Sequence, residues 1–241
     1  MTRSFDQYSL RNATYIHRAY TSAEINGIGV TSQRVRDRMV ARLQAEGISD
    51  PDVLSLMACA PRHLFVENAF SHHAYGSDSL PIGFNQTLSK PWIVARMSEL
   101  VHREAPLRVL EIGTGSGFQT YLLAHLCHEV FSIERIHALS KKAEGRLHRL
   151  DVRNVRLSTG DGRYGWQAHA PYDVIVVTAC TAEIYPQWIH QLAEGGVVIA
   201  PLQAESSDQQ WLVLARKKVS STHLQRLEAV RFVPLIEGVL R

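Results

Sequence analysis

Val109-Leu110-Glu111-Ile112-Gly113-Thr114-Gly115-Ser116-Gly117 is an apolar run that breaks into a glycine-rich loop, and Phe118 opens a helical pattern behind it. Three glycines at alternate positions permit a tight turn and let a ligand approach the backbone at the carboxyl end of a strand. Such a loop can also be a plain strand-to-helix connection, so its surroundings decide. Downstream, strands and helices alternate. Leu107 to Ile112 reads as a strand, Phe118 to Cys127 as a helix, and Glu129 to Glu134 as a strand. An amphipathic helix over Ile136 to Leu150 and a strand over Val152 to Ser158 follow. Tyr172 to Ala179 is the most apolar strand, with a helix near Pro186 to Leu192 after it. Val197 to Leu202, Gln210 to Ala215 and Leu227 to Phe232 are further strands. This alternation predicts an α/β fold with a doubly wound, mostly parallel sheet. The last two strands have no helix pattern between them, so that edge is expected to be antiparallel.

Upstream of the loop the texture differs. Val35, Met39, Val40 and Leu43 recur at helical spacing, ending at Gly47. A second helix starts after Ser49-Asp50-Pro51, where an N-cap candidate precedes a first-turn proline. Pro61 to Lys90 is irregular and long enough to be functional, and Pro91 opens a helix through Val101.

The spacing of the loop is G-x-G-x-G rather than the dinucleotide G-x-G-x-x-G. Glu111 stands two residues ahead of its first glycine, where it would repel a pyrophosphate and attract a sulfonium and an ammonium. Glu134 ends the second strand, about 20 residues on, where an acid can accept both hydroxyls of a ribose. Asp161 and Gly162 follow the third strand, and a carboxylate there suits an adenine amino group. Any one of these acids could be an N-cap or a surface residue. Three of them at successive strand ends point to S-adenosylmethionine, and so to methyl transfer.

Composition bounds the rest. The 241 residues are 45% hydrophobic and 20% charged, as in an ordinary globular chain, which excludes disorder, collagen and coiled coil. No apolar run approaches the roughly 20 residues of a membrane helix. Twenty-six Lys and Arg against 23 Asp and Glu give +3, with no concentrated basic patch. Neither a nucleic-acid nor a membrane partner is expected. Cys59, Cys127 and Cys180 are odd in number and far apart, the pattern of a reducing, cytoplasmic setting.

The remaining candidates read blandly. His125 and His128 beside Cys127 lack further ligands, so no metal is expected. His72 and His73 read as solvated loop histidines. Cys180 has no paired histidine and reads as a small buried residue. Trp166 and Trp188 read as core or rim aromatics.

From about Val35 onward the chain resembles the protein-L-isoaspartate O-methyltransferases. The resemblance rests on Pro61-Arg62-His63-Leu64-Phe65-Val66, Leu80-Pro81-Ile82-Gly83, Gln86-Thr87-Leu88-Ser89 and Val94-Ala95-Arg96-Met97, besides the glycine loop. It continues through Ile133-Glu134-Arg135-Ile136, Gly160-Asp161-Gly162, Gly165-Trp166, Ala170-Pro171-Tyr172-Asp173 and Val230-Arg231-Phe232-Val233-Pro234-Leu235. It implies a Rossmann-like fold with N-terminal helices, and a monomeric repair enzyme. The implied activity is methylation of the free α-carboxylate of L-isoaspartyl residues in proteins and peptides. By the same resemblance Ser89 matches the active-site serine, while Glu111, Gly113, Thr114, Gly115, Ser116, Gly117, Glu134, Asp161 and Gly162 match cofactor positions. Thr87, Leu88 and Ser89, with the strand carrying Arg231, Val233 and Pro234, match the segments that hold the substrate peptide. The chain is expected to comprise an N-terminal extension over 1–31, open to disorder, and a single domain over 32–241. That domain divides into a helical and substrate-loop region, 32–104, and a cofactor-binding sheet, 105–241. An upstream start codon would explain the extension, translation then beginning near Val30 or Met39.

The chain departs from the family at Asn85, where Gly is common, at Lys90 and Trp92, where Gln and Tyr are common, and at Phe118, a usual Tyr. Asn tolerates positive φ better than most residues, should that position need it. Two other readings stay open at this point. A nicotinamide-dependent oxidoreductase is disfavoured by Glu111 and the glycine spacing, and the altered loop around Asn85 and Lys90 leaves room for a cofactor-binding pseudoenzyme or a peptide-binding module.

Overall fold

The computed structural model describes residues 18–205 and 207–241. Helix α1 (Ser22–Asn26) is closed by a capping box: Thr21 Oγ1 accepts from the Glu24 amide, and the Glu24 carboxylate accepts from the Thr21 amide at 2.8 Å. Helix α2 (Gln33–Ala45) and helix α3 (Pro51–Cys59) follow, the latter capped by Asp50, which accepts from the amides of Asp52 and Val53. The segment after α3 winds through 3₁₀ turns over Arg62–Phe65 and Asn68–His73.

It then forms a hairpin that sequence reading did not anticipate: β1 (Leu80–Gly83) pairs antiparallel with β2 (Gln86–Leu88). Phe84 and Asn85 form its two-residue turn with φ of 55° and 57°, so the position that lacks the family's glycine does require a left-handed backbone. Helix α4 (Pro91–Arg103) leads into the main sheet.

That sheet is built from β3 (Arg108–Ile112), β4 (Glu129–Glu134), β5 (Val155–Thr159), β6 (Tyr172–Val177), β7 (Leu192–Gln203), β8 (Gln210–Lys218) and β9 (Ser221–Val230). Helices α5 (Phe118–Leu126), α6 (His137–Arg149) and α7 (Pro186–Gln191) connect its parallel strands. The strand order is β5-β4-β3-β6-β7-β8-β9, parallel from β5 to β7 and antiparallel at β8 and β9. The strands bury both faces by simple alternation. Val109, Val130, Val174 and Val176 pack with Ile93, Met97 and Leu100 of α4 on one side. Leu110, Phe131, Ile175 and Val177 pack with Trp188 on the other. The chain winds outward from β3 to one edge and returns at β6 toward the other, so a crevice opens between the carboxyl ends of β3 and β6.

Two sequence expectations change here. The expected strand over Val230 to Leu235 stops at Val230; beyond it the chain makes two isolated bridges, Pro234 to Cys180 and Leu240 to Ile136. Pro234 has no amide proton to continue a ladder. Within the 1–31 extension, residues 1–17 lie outside the described residues. Residues 18–31 dock through their backbone: the Ile25 carbonyl accepts from Arg36 and the Glu24 carbonyl is hydrogen-bonded by His63 at 2.8 Å. Arg36 and His63 are both buried, so this docking satisfies polar groups that water cannot reach. Among the described residues, no helix is long and apolar enough to cross a membrane.

Candidate active site

The crevice at the switch point is a cleft of about 900 Å³, its open mouth included. One wall comes from strand ends: Gly113–Ser116 after β3, Glu134 and Arg135 after β4, Gly162 after β5, and Thr178 and Ala179 after β6. The other comes from the hairpin, Ile82 and Gln86–Ser89, from Ile93, Val94 and Met97 of α4, and from the C-terminal tail over Phe232–Ile236.

The glycine loop is held in place by close approach. Gly113 has φ of 101°, and a Cβ there would stand 2.4 Å from Thr178 Oγ1. Instead Thr178 Oγ1 donates to the Gly113 carbonyl at 2.6 Å. A Cβ on Gly162 would meet Ile112 Cγ2 at 2.3 Å, so the turn after β5 packs directly on the end of β3.

The two strand-end glutamates have different fates. Glu134 lines the cleft. Its Oε2 accepts from the Gly115 amide at 2.8 Å and its Oε1 from the Ile136 amide at 2.9 Å, which fixes the carboxylate against the loop. Burial pushes its pKa upward, partly offset by those amides.

Glu111, expected to face the ligand, lies beneath the loop and is fully buried. It sits in register with Ser132 of β4, so strand alternation turns it toward α5 rather than into the crevice. Its Oε2 accepts from Thr120 Oγ1 at 2.5 Å and from Ser132 Oγ at 2.6 Å. Because the Ser132 proton is committed to Glu111, Thr114 must be the donor in its 2.5 Å bond to Ser132. This chain of hydroxyls ties the loop to the acid below it. Burial pushes Glu111 up to about 8, and its Oε1 has no hydrogen-bond partner among the described residues.

Asp161 is also placed away from its expected role. Its carboxylate accepts from Arg163 Nη2 and from the Gly238 amide, each at 2.7 Å, and is not part of the cleft wall. Burial alone would raise its pKa, but these bonds carry it below the ordinary aspartate value. Arg163 in turn donates to Glu237 at 2.8 Å. The tail is thus strapped across the strand ends. Cys180 exchanges backbone bonds with Val233 and Leu235 at one side, and Asp161, Arg135 and His137 hold Gly238 and Leu240 at the other. Arg231 is exposed and outside the cleft, because the tail turns after Val230.

Ser89 lines the cleft and its hydroxyl makes no hydrogen bond among the described residues. The N-cap of α4 is Lys90, without a side-chain cap bond, so Ser89 is not tied up in capping the helix. Its carbonyl accepts from Arg62 Nη2 at 2.6 Å. Thr87, Leu88, Val233 and Pro234 share the cleft with it, as do Gly113, Thr114, Gly115, Ser116, Glu134 and Gly162; Gly117 does not. Sequence reading missed Thr178, which the rule of strand carboxyl ends applied to β6 would have found. It also missed Gln119, which lines the cleft from α5 and which no local pattern flags. Of the other candidates, His125 Nδ1 bonds the Tyr121 carbonyl, Cys180 is buried with its pKa raised by that burial, and Trp188 is core.

Known proteins share this chain's sequence pattern and fold. The family model described as protein-L-isoaspartate(D-aspartate) O-methyltransferase matches residues 33–240. A protein-L-isoaspartate O-methyltransferase of Chromohalobacter salexigens is 54% identical over 217 residues, covering 90% of this chain and 94% of its own. A solved protein-L-isoaspartate O-methyltransferase superposes with a TM-score of 0.75 at 28% identity, covering 85% of this chain and 67% of its own. A Plasmodium falciparum structure described with S-adenosyl-L-homocysteine shares the fold, with a TM-score of 0.72 at 22% identity and coverage of 83% and 98%. Since the match runs from α2 to the strap, through both walls of the cleft, the chain belongs to the protein-L-isoaspartate O-methyltransferase family.

Proposed function

We propose that this chain transfers a methyl group from S-adenosylmethionine to the free α-carboxylate of L-isoaspartyl residues in damaged proteins and peptides. The observation that carries the reading is the chemistry of the cleft: among its lining residues the ionisable side chains are Glu134 and Arg135. An amine or alcohol acceptor calls for a base to take its proton, whereas a carboxylate is already ionised at neutral pH. The shared name of the relatives supports the same acceptor. The methyl ester carries a leaving group that the carboxylate lacks: the following backbone nitrogen closes on the ester carbonyl, methanol departs, and hydrolysis of the succinimide returns part of the chains to aspartate.

The cleft suits the cofactor. The loop exposes backbone at a strand end, Gly162 leaves no bulk in the way, and Glu134 sets a carboxylate at the end of the second parallel strand. Gly113, Thr114, Gly115, Ser116, Glu134 and Gly162 would hold S-adenosylmethionine, which supplies a methyl group activated on a sulfonium. Ser89 donates a hydrogen bond that orients the substrate carboxylate, between Thr87 and Leu88 on one side and Val233 and Pro234 on the other. Ile93, Val94, Met97 and Phe232 keep water away, and positioning and desolvation are what such a transfer needs. Three free cysteines support a reducing, cytoplasmic setting. Large exposed apolar side chains are scattered from Ile28 to Leu240, which supports a monomer.

The test is methyl transfer from radiolabelled S-adenosylmethionine to an isoaspartyl peptide and to its aspartyl twin. A base-labile ester on the isoaspartyl peptide alone is expected. Label that survives mild base, or equal labelling of the twin, overturns the reading.

A further inference from the structure

The PRHLFV segment holds a buried cation that the cleft chemistry leaves unexplained. Arg62 is 0% exposed, yet its guanidinium meets no carboxylate among the described residues. Its Nε donates to the Ala74 carbonyl and its Nη2 to the Ser89 carbonyl, both at 2.6 Å, while Nη1 is buried without a partner among the described residues. The guanidinium carbon lies 5.0 Å from the centre of the Phe118 ring, the first residue of α5 after the glycine loop. A desolvated charge that no anion compensates is costly to fold. Scaffold stability alone therefore accounts poorly for it.

Its contacts indicate another use. A planar fork bonded to the Ser89 carbonyl fixes the peptide plane between Ser89 and Lys90. That plane sets the direction of the Ser89 Cα–Cβ bond, and so where the hydroxyl points in the cleft. The stack on Phe118 references this direction to the helix that begins at the glycine loop, on the opposite wall. Neighbouring His63 faces the other way, bonding Tyr75 Oη at 2.7 Å and the Glu24 carbonyl. The 3₁₀ turn of Arg62 is thereby anchored from behind.

Resting on the reading of Ser89 as the orienting donor, we propose that Arg62 is a positioning residue that holds the Ser89 hydroxyl in register with the glycine loop. It touches neither substrate nor cofactor; it acts through Ser89.

A double-mutant cycle tests this, with Arg62→Gln and Arg62→Lys each made in the wild-type and Ser89→Ala backgrounds. The readouts are kcat and KM for an isoaspartyl peptide, and S-adenosylmethionine affinity by calorimetry. Arg62→Gln is expected to lower kcat about ten- to a hundredfold, with peptide KM and cofactor affinity within about threefold of wild type. Added to Ser89→Ala, it should cost less than about threefold more, because the group it positions is already gone. Arg62→Lys keeps the charge without the fork and should recover only part of kcat. Multiplicative losses in the double mutant, or cofactor affinity falling in step with kcat, would overturn the positioning role. So would failure of both variants to fold, which assigns Arg62 to the scaffold. An inactive wild type with intact cofactor binding would instead sink the functional reading itself.

Discussion

On the strand-end wall of the cleft, Gly113–Ser116, Glu134, Gly162 and Thr178 are delivered by four adjacent parallel strands whose ladders set their places. The facing wall has no such ladder. Its hairpin is fixed by Arg62 bonding Ser89 from 27 residues away, and its tail by the Gly238 amide bonding Asp161 from 77 residues away. The main sheet builds the first wall, whereas a short hairpin, isolated backbone bonds of the tail and single side chains such as Arg62 and Asp161 hold the second. The difference teaches where each wall can fail. The strand-end wall should yield only to changes that alter its ligand-facing groups or its buried charge, while the facing wall should lose function at individual bonds.

The largest effect is expected on the facing wall. Ser89→Asp sets a negative charge against the substrate carboxylate, and like charges in contact cost several kcal/mol, so turnover should fall about a thousandfold or more. Ser89→Ala, losing one donor to a charged group, should cost about ten- to a hundredfold. Calorimetry should find cofactor affinity nearly unchanged in both. A fully active Ser89→Asp enzyme would dissolve the contrast between the walls.

Beneath the strand-end wall, Glu111 should make stability depend on pH. Its pKa is about 8 in the folded protein against an ordinary 4.5, so the folded state keeps a proton that the unfolded chain releases. The stabilisation is therefore complete below about pH 4.5 and is lost as pH rises toward 8. Urea unfolding should show a fall of about 2–3 kcal/mol between pH 5 and pH 7 from this group, and Glu134, shifted the same way, adds to it. Glu111→Gln should flatten most of that slope. An unchanged slope in the variant would mean that the acid is ionised in its buried site.

A smaller effect is expected from Glu134→Ala, which removes the carboxylate that fixes the loop and lines the cleft. S-adenosylmethionine should bind at least tenfold more weakly, about 1.4 kcal/mol. Asp161→Asn should be the mildest. If Asp161 latches the strap, cofactor affinity should change less than about threefold, while the amide of Gly238 exchanges faster. A tenfold loss of affinity would restore the adenine role expected from its place after the third strand.

The two walls also differ in how far they can be read from the sequence. Strand alternation and the glycine loop are local patterns, so the sheet, its antiparallel edge and the loop's position follow from residues close in sequence. The direction of a carboxylate within a strand is less legible. Glu111 and Glu134 both stand near a strand's carboxyl end, but pairing with Ser132 and packing on α5 turn only one of them inward. The hairpin was hidden because a Phe-Asn turn lacks the usual glycine signal, although its φ values are those of such a turn. The strap and Arg62 are long-range contacts with no periodic signature at all.

The contact between Gly162 and Ile112 bears on how this sequence can be inherited. Every single-nucleotide change that replaces a glycine by another residue adds a Cβ, and at Gly162 that atom would stand 2.3 Å from Ile112 Cγ2. The next atoms of Ile112 are at 3.6 and 3.9 Å, ordinary contact distances. An isoleucine replaced by a residue without the branch, such as methionine, removes the clash at the modest cost of a volume-conserving swap. The clash makes the cost of the two changes depend on their order. Ile112→Met is expected to make room for Gly162→Ala, whereas the alanine introduced first forces Ile112 or the turn after β5 to shift.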